Sequence, residues 1–305
     1  GDEGLRKLYT TSKSATWRFC RIMGVPTKKN QSIETIAPLL FKFLETMYAK
    51  EIRTNVDAKK LLTIKAKEMA VCRKNGLGYF LPLGCLAGLW SYVNEDKGIE
   101  ATQIQCQGRN DDECLFYSGP SEFLTSPINA NDFETYEDAP GYSLMNKTVP
   151  INGLSLEQLI NNYYFQYNSG LLEMWGERFF PFEVGYVYIL EASMRDLGIE
   201  SALYESSFDF YKKFAKHIEK KSLSFSDSLM CALGWGKISS FGVKTIIIQV
   251  EHYPWCKMFD KKGSFPLITG AISGLCSGIK DRDIKFKIKK AVLLDKLTLV
   301  LEEIN

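Results

Sequence analysis

The stretch FLPLGCLAGLW, residues 80–90, decides how this chain folds. It is apolar, too short to span a bilayer, and carries two glycines four residues apart, Gly84 and Gly88. Glycine costs about 1 kcal/mol relative to alanine inside a helix. Two of them on one helical face make sense where a sheet or another helix must come close. The spacing returns at Gly270 and Gly274 in FPLITGAISGLCSGI, residues 265–279. Strand-like alternation ending in a cysteine precedes each stretch: LLTIKAKEMAVC (61–72) and VKTIIIQVEHYPWC (243–256). A strand, a turn and a last strand follow each: EATQIQCQGRNDDECLFYSG (100–119) and DIKFKIKKAVLLDKLTLVLEEI (283–304).

Upstream the match is fainter. ATWRFCRIMGV (15–25) pairs with ASMRDLGIES (192–201), each a helix ending at a glycine. Helical patterns follow at 32–50 in one half and at 202–221 and 226–236 in the other. The grammar is helix-helix-strand-strand-helix-strand-strand, given twice. It predicts an α+β fold of two repeated units, each an antiparallel sheet with packed helices, forming a pseudo-dimer. The first unit covers 1–120, a proline-punctuated linker 121–153, and the second unit 154–305. From Glu122 to Asp138 the linker has acids and no Lys or Arg. Ser155 and Gln158 form a capping-box start for a long aromatic-rich helix over 155–180.

Composition narrows the function classes. With 305 residues, 45% hydrophobic and 24% charged, the chain has ample material for a core. Thirty-eight basic residues against 36 acidic ones leave +2, a balance that argues against a nucleic-acid binder. No run approaches the length of a membrane span, and the first residues lack the apolar core of a signal peptide. Eight cysteines are too sparse for a disulfide scaffold, so a reducing, cytoplasmic setting is expected. The phosphate-cradling and dinucleotide-binding glycine motifs are absent, and so are paired metalloprotease histidines. Only His217 and His252 occur. Gly274-Leu-Cys276-Ser-Gly278 fits a nucleophile elbow in letters, but it lies inside a glycine helix rather than at a strand-to-helix turn.

The glycine helix G-x-x-(A/S)-G, a strand, and then C-x-G-x-x-D-x-x-C before an apolar strand together resemble the 4-vinyl-reductase-like domain. The likeness is good over residues 60–120 and fainter over 226–305. It implies a dimerising module that binds a small apolar or aromatic molecule between helices and sheet. In sensory relatives it also implies zinc on both hairpin cysteines, on a glutamate three residues before the first, and on a cysteine ahead of the glycine helix. Here the hairpin cysteines correspond to Cys106 and Cys114, while Gln103 and Tyr79 stand where the other two ligands would be.

Read from the residues, Cys106 and Cys114 are half of a tetrahedral site, a disulfide, or two unlinked thiols on a Gly-Asn-Asp turn. Cys72 could add a third metal ligand, with Glu68 or Cys85 as a fourth. The second hairpin has no cysteines, so the fold does not depend on a metal there. Candidate ligand-pocket aromatics are Tyr79, Phe80, Trp90, Tyr92 and Phe116 around the first glycine helix, with Trp235 and Trp255 around the second; core packing is their alternative role. Lysines alternating along DIKFKIKKA read as the wet face of a strand. The expectation is a non-enzymatic binding or sensory protein for a small hydrophobic or aromatic ligand, acting as a homodimer or through a signalling partner. The alternatives are an enzyme or accessory protein for a tetrapyrrole-type cofactor, and a scaffold in an assembly.

Overall fold

The computed structural model describes residues 2–57, 59–69, 80–128, 130, 154–168, 171–179, 184–218, 222–241, 246–253, 264–293 and 297–304. The fold is α+β, with helices packed on antiparallel sheets. Two compact units comprise Gly1–Asp138 with Phe165–Ser193, and Ala139–Tyr164 with Met194–Asn305. Among the described residues no helix is long and apolar enough to cross a membrane.

The first unit opens with α1 (Asp2–Ile22), α2 (Ile33–Tyr48), β1 (Glu51–Val56) and β2 (Leu62–Lys67). It continues with α3 (Phe80–Asn94), β3 (Ile99–Gln105) and β4 (Cys114–Pro120). Its sheet runs β1-β2-β4-β3, antiparallel throughout. Pairing Leu62 with Ser118, Ile64 with Phe116 and Ala66 with Cys114 puts these buried residues on one face. Leu83, Leu86, Ala87, Trp90 and Val93 of α3 complete that core. Each large apolar side chain buried there contributes about 1.5–3 kcal/mol.

The α3 glycines meet α1. A Cβ on Gly84 would overlap the Tyr9 carbonyl oxygen and lie 2.6 Å from the Ser12 Cβ. One on Gly88 would overlap the Lys13 carbonyl oxygen and lie 2.9 Å from the Thr16 Cβ. The four-residue steps coincide, so the helices run parallel with backbones in contact. Tyr9 and every residue from Thr11 to Thr16 are buried, although this stretch of α1 is mostly polar.

The second unit contains α4 (Leu156–Asn161) and α6 (Ser201–Phe214), with α5 (Val184–Asp196) leading into it. Then follow α7 (Leu223–Ala232), β8 (Lys237–Phe241), β9 (Ile247–Glu251), α8 (Pro266–Lys280), β10 (Lys285–Leu293) and β11 (Leu297–Ile304). Its sheet runs β10-β11-β9-β8. Counted within each unit, both sheets read third-fourth-second-first strand. Here α8 packs on α6. A Cβ on Gly270 would overlap the Tyr204 carbonyl oxygen and lie 3.0 Å from the Ser207 Cβ, while one on Gly274 would overlap the Phe208 carbonyl oxygen. The counterpart of α1 is therefore α6, and α7 takes the place of α2. The match of 15–25 with 192–201 is thus corrected, because α6, and not 192–201, presents its backbone to Gly270 and Gly274.

A second correction concerns 155–180. The capping box forms, with Gln158 N–H donating to Ser155 Oγ at 3.1 Å and Ser155 N–H donating to Gln158 Oε1 at 2.8 Å. The helix nevertheless stops at Asn161. A three-stranded antiparallel sheet follows in the first unit: β5 (Gln166–Asn168), β6 (Leu171–Met174) and β7 (Glu177–Phe179). Between Met174 and Glu177, Trp175 at φ 52° and Gly176 at φ 78° form the double left-handed turn of a tight hairpin.

Candidate functional site

The thiol hairpin closes on itself. Arg109 N–H donates to the Cys106 carbonyl at 2.8 Å, Cys106 N–H donates to Asp111 Oδ2 at 2.6 Å, and Asn110 takes a left-handed φ of 72°. Gln107 ties the turn to the end of β2 by accepting from Glu68 N–H at 2.6 Å. Cys106 and Cys114 are 2% and 0% exposed and lie in the apolar core with Trp90 and Phe116. Gln103, 4% exposed, spends its amide on the Gln105 carbonyl at 2.8 Å across a bulge in β3. The Glu68 carboxylate turns instead to Lys50 at 3.2 Å. Cys85 is half-buried on α3. Among the described residues no three His, Cys, Asp or Glu side chains converge as a metal site. Cys72 lies outside the described residues.

The aromatic candidates do not gather in one pocket. Trp90 is fully buried and donates its indole N–H to the Lys60 carbonyl at 2.9 Å, anchoring the start of β2 to α3. Phe116 packs beside it in the core. Tyr92, half-buried, stands edge-on to Trp17 at 5.5 Å, and burial first of all pushes its hydroxyl pKa up. Trp235 donates to the Tyr211 hydroxyl at 3.2 Å in the second unit. Tyr79 and Trp255 fall outside the described residues, as does the side chain of Phe80.

Two groups with catalytic potential are quiet. Cys276 sits mid-helix in α8, and burial, reinforced by Asp227 and Glu303, pushes its thiol up to about 12. A thiol so protonated at neutral pH is no nucleophile. Lys13 is fully buried against Glu100, its ammonium 2.8 Å from Oε1. It also donates to the carbonyls of Lys97 at 2.9 Å and Ala130 at 3.2 Å. Glu100 accepts in addition from Ala130 N–H at 2.8 Å and from the Tyr9 hydroxyl at 2.7 Å. Burial lowers the Lys13 pKa and Glu100 opposes that shift. All three ammonium donors are engaged and none reaches solvent, so the lysine holds the fold together rather than attacking a substrate.

Sequence reasoning missed a cleft of about 320 Å³ between α7 and β8. Ser224, Asp227 and Ser228, at helical spacing i, i+3, i+4, supply its polar wall. Leu223, Ile238, Phe241 and Ile246 supply apolar walls. The Asp227 carboxylate accepts from Ser240 N–H at 2.9 Å and from Ser240 Oγ at 2.6 Å. Burial pushes its pKa up, against the pull of those bonds. The signal was the serine-rich pattern of SLSFSDSL (222–229) and KISSF (237–241), which reads as ordinary solvated surface until the two segments meet.

With this geometry in hand, comparison with protein-family models gives no match, and comparison with curated proteins gives no relative.

Proposed function

We propose that this protein is a non-catalytic binding module for a small, largely apolar or aromatic ligand, working in a reducing cytoplasmic setting. The observation that carries the reading is the cleft between α7 and β8. Its volume falls in the range of small-molecule sites, and it sets Leu223, Ile238, Phe241 and Ile246 against a polar side of Ser224, Asp227, Ser228, Ser239 and Ser240. The common strand order and glycine-packed helix pair of both units support the likeness to tandem 4-vinyl-reductase-like domains. The seven-residue interval between Cys106 and Cys114 leaves zinc dependent on Cys72 or another ligand from outside the described residues.

Native mass spectrometry of protein taken directly from cells tests the main reading. A retained small molecule is expected. A chain that arrives empty, and whose Tm ignores a panel of aromatics, lipids and tetrapyrroles, would sink it. Metal analysis tests the hairpin separately: below about half an equivalent of zinc in the wild type, the metal reading falls.

A further inference from the structure

We propose that the cleft between α7 and β8 selects a cation: its ligand carries an ammonium group on an apolar, aromatic-sized body, and Asp227 is the residue that recognises the charge. This rests on the small-molecule reading above and sharpens it from apolar to cationic amphiphile.

Three observations lead there. First, Asp227 lines an open cleft rather than a closed core. Its only hydrogen bonds among the described residues come from the N–H and hydroxyl of Ser240. A carboxylate offers about four acceptor positions, so capacity remains for a further donor. Second, no Lys, Arg or His among the described residues forms an ion pair with it. Among the described residues the half-buried charge is compensated by the Ser240 hydroxyl and N–H alone. Half-buried charge without a counterion is costly, and the upward displacement of its pKa reflects that cost. A cation from outside relieves it and replaces the lost hydration with a charge-assisted hydrogen bond.

Third, the surroundings define the rest of the ligand. Ser224 and Ser228 flank Asp227 on the same helical face and offer hydroxyl oxygens, which accept from the remaining ammonium protons. Ile238, Phe241 and Ile246 give an apolar wall for the body of the molecule. Phe241 is 47% exposed, a large apolar surface that a ligand would cover. An anionic ligand finds no cation there among the described residues, and like-charge repulsion from Asp227 excludes it.

The test uses the full chain and three isosteres: 2-phenylethylamine, the neutral phenylacetamide and the anionic phenylacetate. Binding is followed by calorimetry and located by NMR of the labelled Ile238 and Ile246 methyl groups. Phenylethylamine should bind saturably and shift both methyls, at least about ten-fold more tightly than phenylacetamide, with phenylacetate weakest. Asp227→Asn should abolish that preference. The isostere series on wild-type protein stands even if this variant folds poorly. Equal binding of the amine and the amide would overturn the cation inference yet leave the small-molecule reading standing. Failure of all three to shift the methyls would overturn the inference at this cleft.

Discussion

The contact of α1 with α3 and that of α6 with α8 are the same contact filled in two ways. Tyr9, Ser12 and Lys13 in one hold the places of Tyr204, Ser207 and Phe208 in the other, each set meeting a glycine pair four residues apart. The Ser91 hydroxyl donates to the Ile99 carbonyl at 3.0 Å, and the Ser277 hydroxyl donates to the Ile284 carbonyl at 3.1 Å. In both units, then, a serine on the glycine helix pins the next strand. Around that common backbone the side chains diverge. The first unit buries Lys13 against Glu100 and satisfies the Tyr9 hydroxyl with the same carboxylate. The second stacks Tyr204 on Phe208 at 6.1 Å, leaves the buried Tyr204 hydroxyl without a partner among the described residues, and exposes Lys285 where Glu100 would be. Close backbone approach is what the architecture needs; a buried ion pair is one filling of the space around it.

Breaking the ion pair on one side should give the largest effect. Lys13→Ala or Glu100→Ala strands a buried charge and should lower the stability of the first unit by about 3–5 kcal/mol in denaturant unfolding. Replacing both with methionine should recover most of that loss. If the double variant is as unstable as the singles, the comparison with the aromatic filling of the second unit fails.

Gly88→Ala and Gly274→Ala should each cost about 1–3 kcal/mol, because the added methyl meets a carbonyl oxygen on the partner helix. Similar losses in both units would show that the two contacts are energetically alike. A neutral result in one would break the equivalence. Gly176→Ala, outside both contacts, should cost about 1 kcal/mol because its φ of 78° suits glycine.

The smallest effect separates two carboxylates of the second unit by pH. Burial pushes Glu303 up, but the Ile246 N–H and Arg282 outweigh it and hold its pKa below the usual range. Its stabilising contribution is therefore present above the ordinary glutamate range and lost as pH falls through the folded value. Asp227 has the opposite sign. Its raised pKa gives a contribution present below the ordinary aspartate range and lost as pH rises through the folded value. Across about pH 3 to 7, Glu303→Gln should reduce the loss of Tm on acidification. Asp227→Asn should reduce the loss as pH rises. Parallel curves for the two variants would contradict the assigned directions.

Local pattern was enough to read both glycine helices, the strands next to them and the two closing hairpins. Period-two burial and the absence of a Cβ are properties of single segments. The capping box at Ser155 was equally legible, yet the helix it starts was read far too long. Aromatic residues suit strands as well as helices, and the Trp175-Gly176 turn carries only a weak sequence signal. The hairpin thiols were legible as residues flanking a turn; that they lie in the core was not, since burial depends on what packs opposite them in space.

What the sequence determined by itself is the α+β grammar and the places where backbones must touch. It could not name the helix that does the touching. TTSKSATW (10–17) looks solvated, and only tertiary packing makes its small side chains valuable by letting α1 sit on Gly84 and Gly88. Nor could it pair Lys13 with Glu100, 87 residues away, or bring Asp227 of α7 to Ser240 of β8. Periodicity reports the face a residue occupies. Which charges meet, and which cleft a carboxylate lines, is settled by chain segments brought together only when the core closes.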